Sequence, residues 1–204
     1  TSISFAAVEM ARELLGTLAY RKVLIVGAGA MGEGVAVALS MNSTTEVTVI
    51  NRTESRSRDL AERLGAATRP MSDLLDALTE TDVVVTCIGA GSFVLDHEMM
   101  QPIMSRRTGK TLFIVDIAVP RDVEESVGSI PGVELRNLDD LRDWVRSGVE
   151  QREGEAVKVA NIVTEEVEVY TLASMARQAA PLIASMHSAA EEVRLAEIDR
   201  HAKK

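Results

Sequence analysis

The sequence predicts an α/β fold, with a doubly wound, mostly parallel sheet followed by a long helix and a partial helical domain. Short apolar runs rich in β-branched residues alternate with helix-length segments in the first 137 residues. The first of these runs leads directly into a glycine-rich turn, and from residue 138 onward apolar residues recur every three or four positions. We therefore predict domains at residues 1–137, 138–173 and 174–204.

The elements of the first domain follow from local patterns. Apolar residues at helical spacing predict an amphipathic helix from Ser4 to Leu18. Continuous apolar runs are typical of strands covered on both faces, and crossovers between parallel strands are right-handed. The predicted strands are Lys22–Val26, Glu46–Ile50, Asp82–Ile88 and Thr111–Val115, and the predicted helices between them are Met31–Met41, Glu54–Leu64 and Met71–Leu78.

The second half of the chain predicts helix alone. A single helix from Asp139 to about Leu172 would be roughly 50 Å long at the usual rise per residue, which is more than the sheet domain covers. Pro181 interrupts the pattern, and Leu182–Ile198 predicts a further helix. The long helix must therefore pack on something else.

Composition excludes several classes of function. The formal net charge of −9 repels nucleic-acid backbones, and the pair Arg106–Arg107 is interpreted as a solvated loop pair. The single cysteine, Cys87, excludes an internal disulfide or a thiolate metal cluster and suits a reducing cytoplasm. No metal site is predicted, since the three histidines lack ligand spacing.

The termini and hydropathy favour a cytoplasmic protein. We find neither a secretory signal nor an apolar stretch long enough to span a membrane. The chain begins at Thr1 rather than at Met, which suggests a fragment of a longer protein.

A glycine fingerprint follows the first strand. The motif G-A-G-A-M-G stands between a predicted strand and a predicted helix, which is the context that dinucleotide binding requires. Its glycines allow a tight turn, close approach of the backbone to a pyrophosphate, and close helix–strand contact. The sheet is therefore predicted to be of Rossmann type, with cofactor-binding residues Gly27, Ala28, Gly29, Ala30, Met31 and Gly32.

The end of the second strand indicates which dinucleotide binds. NAD sites place a carboxylate here, whereas this chain has Asn51, Arg52 and Thr53. A guanidinium beside an amide and a hydroxyl can hold a 2′-phosphate by charge-assisted bonds, so NADPH is the predicted cofactor. Arg56, one turn into the next helix, either closes over the phosphate, stacks on the adenine, or is a surface arginine.

Two further strand ends are expected to line the cofactor cleft, because ligands of open α/β sheets gather at the carboxyl ends of strands. No histidine or lysine lies near Cys87 in the sequence, so we assign no catalytic residue, and a small buried cysteine is the alternative. The segment Asp116–Asp122 is expected on the nicotinamide side, or else forms a strand-to-helix loop capped by Asp122. The predicted cofactor-binding residues here are Thr86, Cys87, Ile88, Gly89, Ile117, Ala118, Val119 and Pro120.

Taken in order, the motifs resemble glutamyl-tRNA reductase. They are G-A-G-A-M-G, N-R-T, D-I-A-V-P-R-D and N-L-D-D-L, flanked by S-I-S-F-A-A-V-E-M-A and E-A-V-K-V-A-N-I-V-T-E-E. That resemblance covers nearly the whole chain. It implies reduction of glutamyl-tRNA to glutamate-1-semialdehyde with NADPH, in tetrapyrrole (haem) synthesis.

The resemblance also implies partners. In that family the thiol nucleophile and the tRNA-recognition residues lie in an N-terminal catalytic domain, before the point that corresponds to Thr1. The helix from Asp139 resembles the family's spinal helix, and A-P-L-I-A-S-M the start of its dimerisation domain. We therefore expect the chain's own catalytic domain, glutamyl-tRNA, a second copy and glutamate-1-semialdehyde aminomutase as partners, and an inactive chain when isolated.

Two alternatives stay open at this point. Shikimate dehydrogenases resemble this region in their glycine loop and N-R-T, which would make the chain a self-contained NADP-dependent dehydrogenase; such an enzyme also needs a substrate domain. A non-catalytic nucleotide-sensing or assembly module, with the long helix as its working part, would change its assembly when NADPH binds.

Overall fold

The computed structural model describes residues 2–41 and 46–148, together with residues 163, 166, 167, 170, 181, 185–187, 190–195 and 198. The chain divides into two compact units, Thr1–Ser147 and Gly148–Lys204. Most of the predicted long helix, and 7 of the 17 residues of the predicted C-terminal helix, lie outside the described residues. From residue 163 onward the described residues are helical and exposed.

The first unit alternates strands and helices along the chain. Residues 138–147 form a further helix, α6. The elements are α1 (Ile3–Leu15), β1 (Lys22–Val26), α2 (Ala30–Met41), β2 (Glu46–Ile50), α3 (Glu54–Leu64), β3 (Ala67–Arg69), α4 (Leu74–Glu80), β4 (Val83–Thr86), α5 (His97–Arg106), β5 (Leu112–Asp116) and β6 (Val133–Asn137), with 3₁₀ turns at Met71–Asp73 and Glu125–Ser129.

The six strands form one parallel sheet in the order β3-β2-β1-β4-β5-β6. The chain winds outward from β1 to β3 and then returns to β4 on the other side of β1, so the strand order reverses between β1 and β4. At this point Val26 lies level with Ile50 on one side and with Thr86 on the other. This arrangement confirms the predicted doubly wound fold, in which ligands bind at the reversal.

Apolar side chains cover both faces of the sheet. One core cluster joins the sheet to α1, α2, α3 and the first turns of α6, where Leu141 is buried. The other joins it to α4, α5 and the second 3₁₀ turn. Because the central strands β1, β4 and β5 face both clusters, nearly every residue in them is buried, as their apolar runs predicted.

The helix after the sheet begins with a reciprocal cap. The Asn137 Oδ1 accepts hydrogen bonds from the N–H groups of Asp139 (2.8 Å) and Asp140 (3.2 Å), and Asp140 Oδ2 accepts one from the N–H of Asn137 (2.8 Å). Each side chain thus satisfies a backbone donor that the helix leaves free. The motif N-L-D-D-L is therefore the end of β6 and the start of α6.

The structure corrects some local predictions. The sequence patterns did not predict β3, β6 or α5: β3 is a short, mostly exposed edge strand, β6 has only one buried residue, and α5 contains Pro102. The Arg106–Arg107 pair is not a solvated loop pair, because Arg107 is buried. None of the described helices is both long and apolar enough to cross a membrane.

Candidate functional site

Four loops meet at the carboxyl edge of the sheet. They follow β1, β2, β4 and β5, and because the strands are parallel all four leave the sheet on the same side. Every residue predicted to bind the cofactor lies in or directly beside these loops or at the start of α2 and α3. The topology therefore brings together residues that are up to 93 positions apart, from Gly27 to Pro120.

The glycine loop has room for an added side chain at one of its three glycines and none at the other two. Gly27 adopts a φ of 124°, and a Cβ there would lie 2.8 Å from the Cys87 sulfur. A Cβ on Gly32 would lie only 2.2 Å from the carbonyl oxygen of Gly27, whereas a Cβ on Gly29 would meet nothing within 4 Å. Gly27 and Gly32 are therefore required by the fold, and Gly29 borders open space at the N-terminus of α2, where an anion is favoured.

Asn51 joins the second loop to the first. Its Oδ1 accepts a hydrogen bond from the N–H of Ala28 (3.3 Å), and its Nδ2 donates one to the carbonyl oxygen of Thr53 (3.0 Å). The side chain is thus already engaged in shaping the glycine loop. Its contribution to the site is to hold the loops after β1 and β2 together.

Exposed arginines stand beside the glycine loop. Arg52 and Arg56 are exposed, and neither forms an ion pair with another of the described residues. Arg56 borders an open cleft of about 580 Å³. That cleft is also lined by Ala28, Gly29, Ala30, Glu33, Asp59 and Arg63.

Two acidic side chains in the cleft reduce its positive charge. Glu33, in the first turn of α2, pairs with Arg63 of α3 at 2.6 Å. Asp59 lies on α3, three positions beyond Arg56. The unpaired positive charge is therefore concentrated at Arg52 and Arg56, at the end of β2 and the start of α3, which is where a 2′-phosphate is expected.

A buried carboxylate ties the ends of β4 and β5. Asp116 Oδ1 accepts hydrogen bonds from the Thr86 hydroxyl (2.9 Å) and the Ala118 N–H (3.1 Å), and Oδ2 accepts from the N–H groups of Asp122 and Val123 (both 3.0 Å). Asp116 is 2% exposed. Thr86 is also buried, so its side chain supports the cleft from beneath.

The structure does not bear out the alternative in which Asp122 caps a helix. The carboxylate instead accepts hydrogen bonds from the backbone of the loop after β4. Burial raises the pKa of Asp122 above its ordinary value, although the N–H donors of Ile88 and Gly89 act in the opposite direction. The sequence signal for this role is a second acidic residue six positions after the strand-end Asp116, but its partner loop lies over 30 positions away.

Cys87 lies beneath the glycine loop. Its sulfur is 3.5 Å from the carbonyl oxygens of both Val26 and Gly27. Burial, with the nearby carboxylates of Asp122 and Asp116 adding to it, raises the pKa of this thiol to about 12. The thiol is therefore protonated at neutral pH and fills space behind the loop, which argues against a nucleophile.

We expect Cys87 to react slowly with alkylating reagents. A pKa near 12 leaves on the order of a thousandfold less thiolate at pH 7.5 than the ordinary value of 9.0 does. Because the chain has no other cysteine, iodoacetamide labelling followed by mass spectrometry reports on this thiol alone, with the urea-unfolded chain as control. The labelling rate should rise with pH beyond pH 9; labelling of the folded chain as fast as the unfolded one would contradict the burial argument.

The other predicted residues have clear places. Ile117 and Ala118 are buried, whereas Val119 and Pro120 are exposed in the loop after β5. A Cβ on Gly89, whose φ is 65°, would lie 2.7 Å from the Val119 carbonyl oxygen, so the loops after β4 and β5 touch. The described residues hold no cluster of three or more metal-ligating side chains.

A comparison with known protein families decides the family of the chain. The family model described as Shikimate / quinate 5-dehydrogenase matches residues 9–144, which is more than half of the 204 residues. The chain belongs to this family. The match begins in α1 and ends in α6, so it lies within the first unit, Thr1–Ser147. This family match supports a nicotinamide nucleotide as cofactor.

Individual relatives confirm the resemblance to glutamyl-tRNA reductase. The enzyme of that name from Natranaerobius thermophilus is 38% identical over 203 residues, which cover 100% of this chain and 44% of the relative. The structure of glutamyl-tRNA reductase from Methanopyrus kandleri matches with a TM-score of 0.70 at 40% identity, covering 82% of this chain and 42% of that one. The chain thus spans less than half the length of these relatives.

A third comparison concerns the fold alone. The nucleotide-binding domain of glutamyl-tRNA reductase from Thermoplasma volcanium matches with a TM-score of 0.57 at 20% identity. The match covers 75% of this chain and 97% of that domain. A separately solved domain therefore has the same architecture as the unit described above.

Proposed function

We propose that this chain binds NADPH and supplies the hydride donor for the reduction of glutamyl-tRNA to glutamate-1-semialdehyde. The observation that carries this proposal is the carboxyl edge of the sheet, where Gly29 borders open space and Arg52 stands where NAD sites have an acid. The similarity to glutamyl-tRNA reductases along the whole chain supports the substrate. When bound, the nicotinamide supplies a hydride.

The residues of this chain bind and orient the cofactor. We infer that the glycine loop and the N-terminus of α2 hold the pyrophosphate, and that Arg52, with Arg56 and Thr53 beside it, holds the 2′-phosphate. The loops after β4 and β5 flank the nicotinamide. Cys87 is poorly suited to the covalent step that a thiol nucleophile would perform, because its sulfur lies against the carbonyl oxygens of Val26 and Gly27 and burial raises the pKa of the thiol.

The partners of the longer relatives belong to this proposal. We expect the chain to work with a catalytic domain that carries the nucleophile, with glutamyl-tRNA, with a second copy through its C-terminal helices, and with the aminomutase that consumes the unstable aldehyde product, all in the cytoplasm. The isolated 204-residue chain should therefore bind NADPH but not reduce glutamyl-tRNA. Turnover by the isolated chain would contradict this division of labour.

Replacing Arg52 by alanine tests the cofactor. We expect calorimetry to show that the wild-type chain binds NADPH more tightly than NADH. Arg52→Ala should weaken the affinity for NADPH about thirtyfold and leave the affinity for NADH nearly unchanged, because only NADPH carries the 2′-phosphate. Arg58→Ala is the matched control, since Arg58 is exposed and pairs with Glu54, one turn earlier on the same helix. A wild-type preference for NADH, or equal losses for both cofactors, would refute the assignment.

A self-contained NADP-dependent dehydrogenase is the second candidate, and the family match favours it. Such an enzyme would oxidise a small hydroxy acid, or reduce the corresponding keto acid, without tRNA. The match ends at residue 144, however, and covers the cofactor-binding unit alone. Turnover of shikimate or quinate with NADP by the chain would favour this candidate over the first.

A further inference from the structure

The loop after β4 is held by one carboxylate from the loop after β5. Asp122 Oδ2 accepts a hydrogen bond from the N–H of Ile88 (2.6 Å), and Oδ1 accepts from the N–H of Gly89 (2.9 Å) and, at 3.5 Å, from that of Ala90. The Asp122 side chain is fully buried. Three consecutive backbone donors therefore point inward, at a single side chain.

Asp122 is itself fixed in place. Its N–H donates to Asp116 Oδ2 (3.0 Å), and its carbonyl oxygen accepts hydrogen bonds from the N–H groups of Val94 (2.6 Å) and Leu95 (3.1 Å). Backbone and side chain of this one residue thus connect both ends of the segment between β4 and α5. A buried carboxylate is costly unless it is fully hydrogen-bonded, and both oxygens of this carboxylate accept hydrogen bonds.

The segment that Asp122 holds lies on one side of the carboxyl edge of the sheet. The glycine loop and Arg52 follow β1 and β2, whereas Ile88 and Gly89 follow β4, on the far side of the strand reversal. A dinucleotide that spans the reversal places its adenosine half toward β2 and its nicotinamide half toward β4 and β5. The contacts that shape the adenosine side, such as Ala28 to Asn51, do not involve Asp122.

We propose that Asp122 is a positioning residue for the nicotinamide half of the cofactor, acting through the backbone of residues 88–90. This inference rests on the proposed binding of NADPH. The carboxylate does not touch the cofactor; it orients the loop on which the nicotinamide rests and keeps that loop against Val119 of the neighbouring loop. The adenosine half is bound independently of it.

Asp122→Asn tests this role, because the amide retains one acceptor and turns an NH₂ group toward one set of backbone donors. The ligands are NADPH and 2′-phospho-ADP-ribose, which lacks the nicotinamide ring. We expect calorimetry to show an NADPH affinity weaker by about tenfold and a 2′-phospho-ADP-ribose affinity within about twofold of wild type. Asp96→Asn is the matched control, since Asp96 caps α5 through the N–H of Met99 and asparagine caps as well.

The outcomes separate this inference from the proposed function. If the wild-type chain fails to bind NADPH, the proposed function fails. If the wild-type chain binds NADPH, the positioning role is refuted when Asp122→Asn lowers the affinities for both ligands equally or lowers neither. Should that variant not fold, Gly89→Ala displaces the same two loops, because its methyl group meets the Val119 carbonyl at 2.7 Å, and the same selective loss of NADPH affinity is expected.

Discussion

Replacing Gly32 by alanine is expected to destabilise the first unit by about 3 kcal/mol, near the upper end of typical overpacking costs. The added methyl group would lie 2.2 Å from the carbonyl oxygen of Gly27 and 3.1 Å from its carbonyl carbon, and both are backbone atoms. Neither can move without displacing the turn that joins β1 to α2. Urea unfolding followed by circular dichroism measures the loss.

Gly29→Ala is the matched control, and it should affect cofactor binding rather than stability. A methyl group there meets nothing within 4 Å, and Gly29 does not have a positive φ. We therefore expect the free energy of unfolding to change by no more than about 0.5 kcal/mol. NADPH affinity should fall at least about tenfold, because the methyl group occupies the space through which the pyrophosphate approaches the backbone. Equal stability losses for the two variants would show that the glycines have no separate roles.

Arg107→Ala is expected to cost about 3 kcal/mol of unfolding free energy. The side chain is 3% exposed, and its guanidinium donates to the carbonyl oxygens of Leu78, Lys110 (3.4 Å) and Thr111 (3.0 Å). Removing it leaves the carbonyl oxygen of Leu78 without its donor in a buried place, which costs about 1–3 kcal/mol, and it also removes the packing of a buried side chain. Chemical unfolding again provides the measurement.

The neighbouring arginine offers a control of the same residue type. Arg106 is exposed and lies 3.7 Å from Asp76, an arrangement worth little in solvent. Arg106→Ala should therefore change stability by no more than about 0.5 kcal/mol. Arg107→Lys should lose most of the unfolding free energy that Arg107→Ala loses, since an ammonium group lacks the planar guanidinium that reaches three carbonyl oxygens. Similar losses at positions 106 and 107 would contradict the structure.

Local patterns were sufficient where a single element carries the information. The apolar runs of β1, β4 and β5 predicted strands because residues buried on both faces must nearly all be apolar. G-A-G-A-M-G predicted the turn before α2, because a Cβ at Gly32 would lie 2.2 Å from the Gly27 carbonyl oxygen and only glycine fits there. The edge strands β3 and β6 were not predicted, since an edge position imposes no such requirement on their side chains.

Longer-range partners could not be predicted in this way. Asp122 follows the strand-end Asp116 by six positions, but that spacing does not indicate which backbone its carboxylate holds, because residues 88–90 are over 30 positions away. Asn51, predicted beside the 2′-phosphate, proves to shape the glycine loop. Arg107 is part of a pair that looks solvated from its neighbours, and only the packing of α4 and α5 shows that it is buried.

The sequence by itself determined the parallel α/β sheet, the glycine turn and the arginine at the end of β2, because each depends on residues adjacent in the chain. Only the tertiary structure decided which polar side chains support the cleft from within and which remain free to meet a ligand. The physical reason is that a buried charge depends on donors and acceptors brought to it by other strands, and the chain order of those strands differs from their order in the sheet.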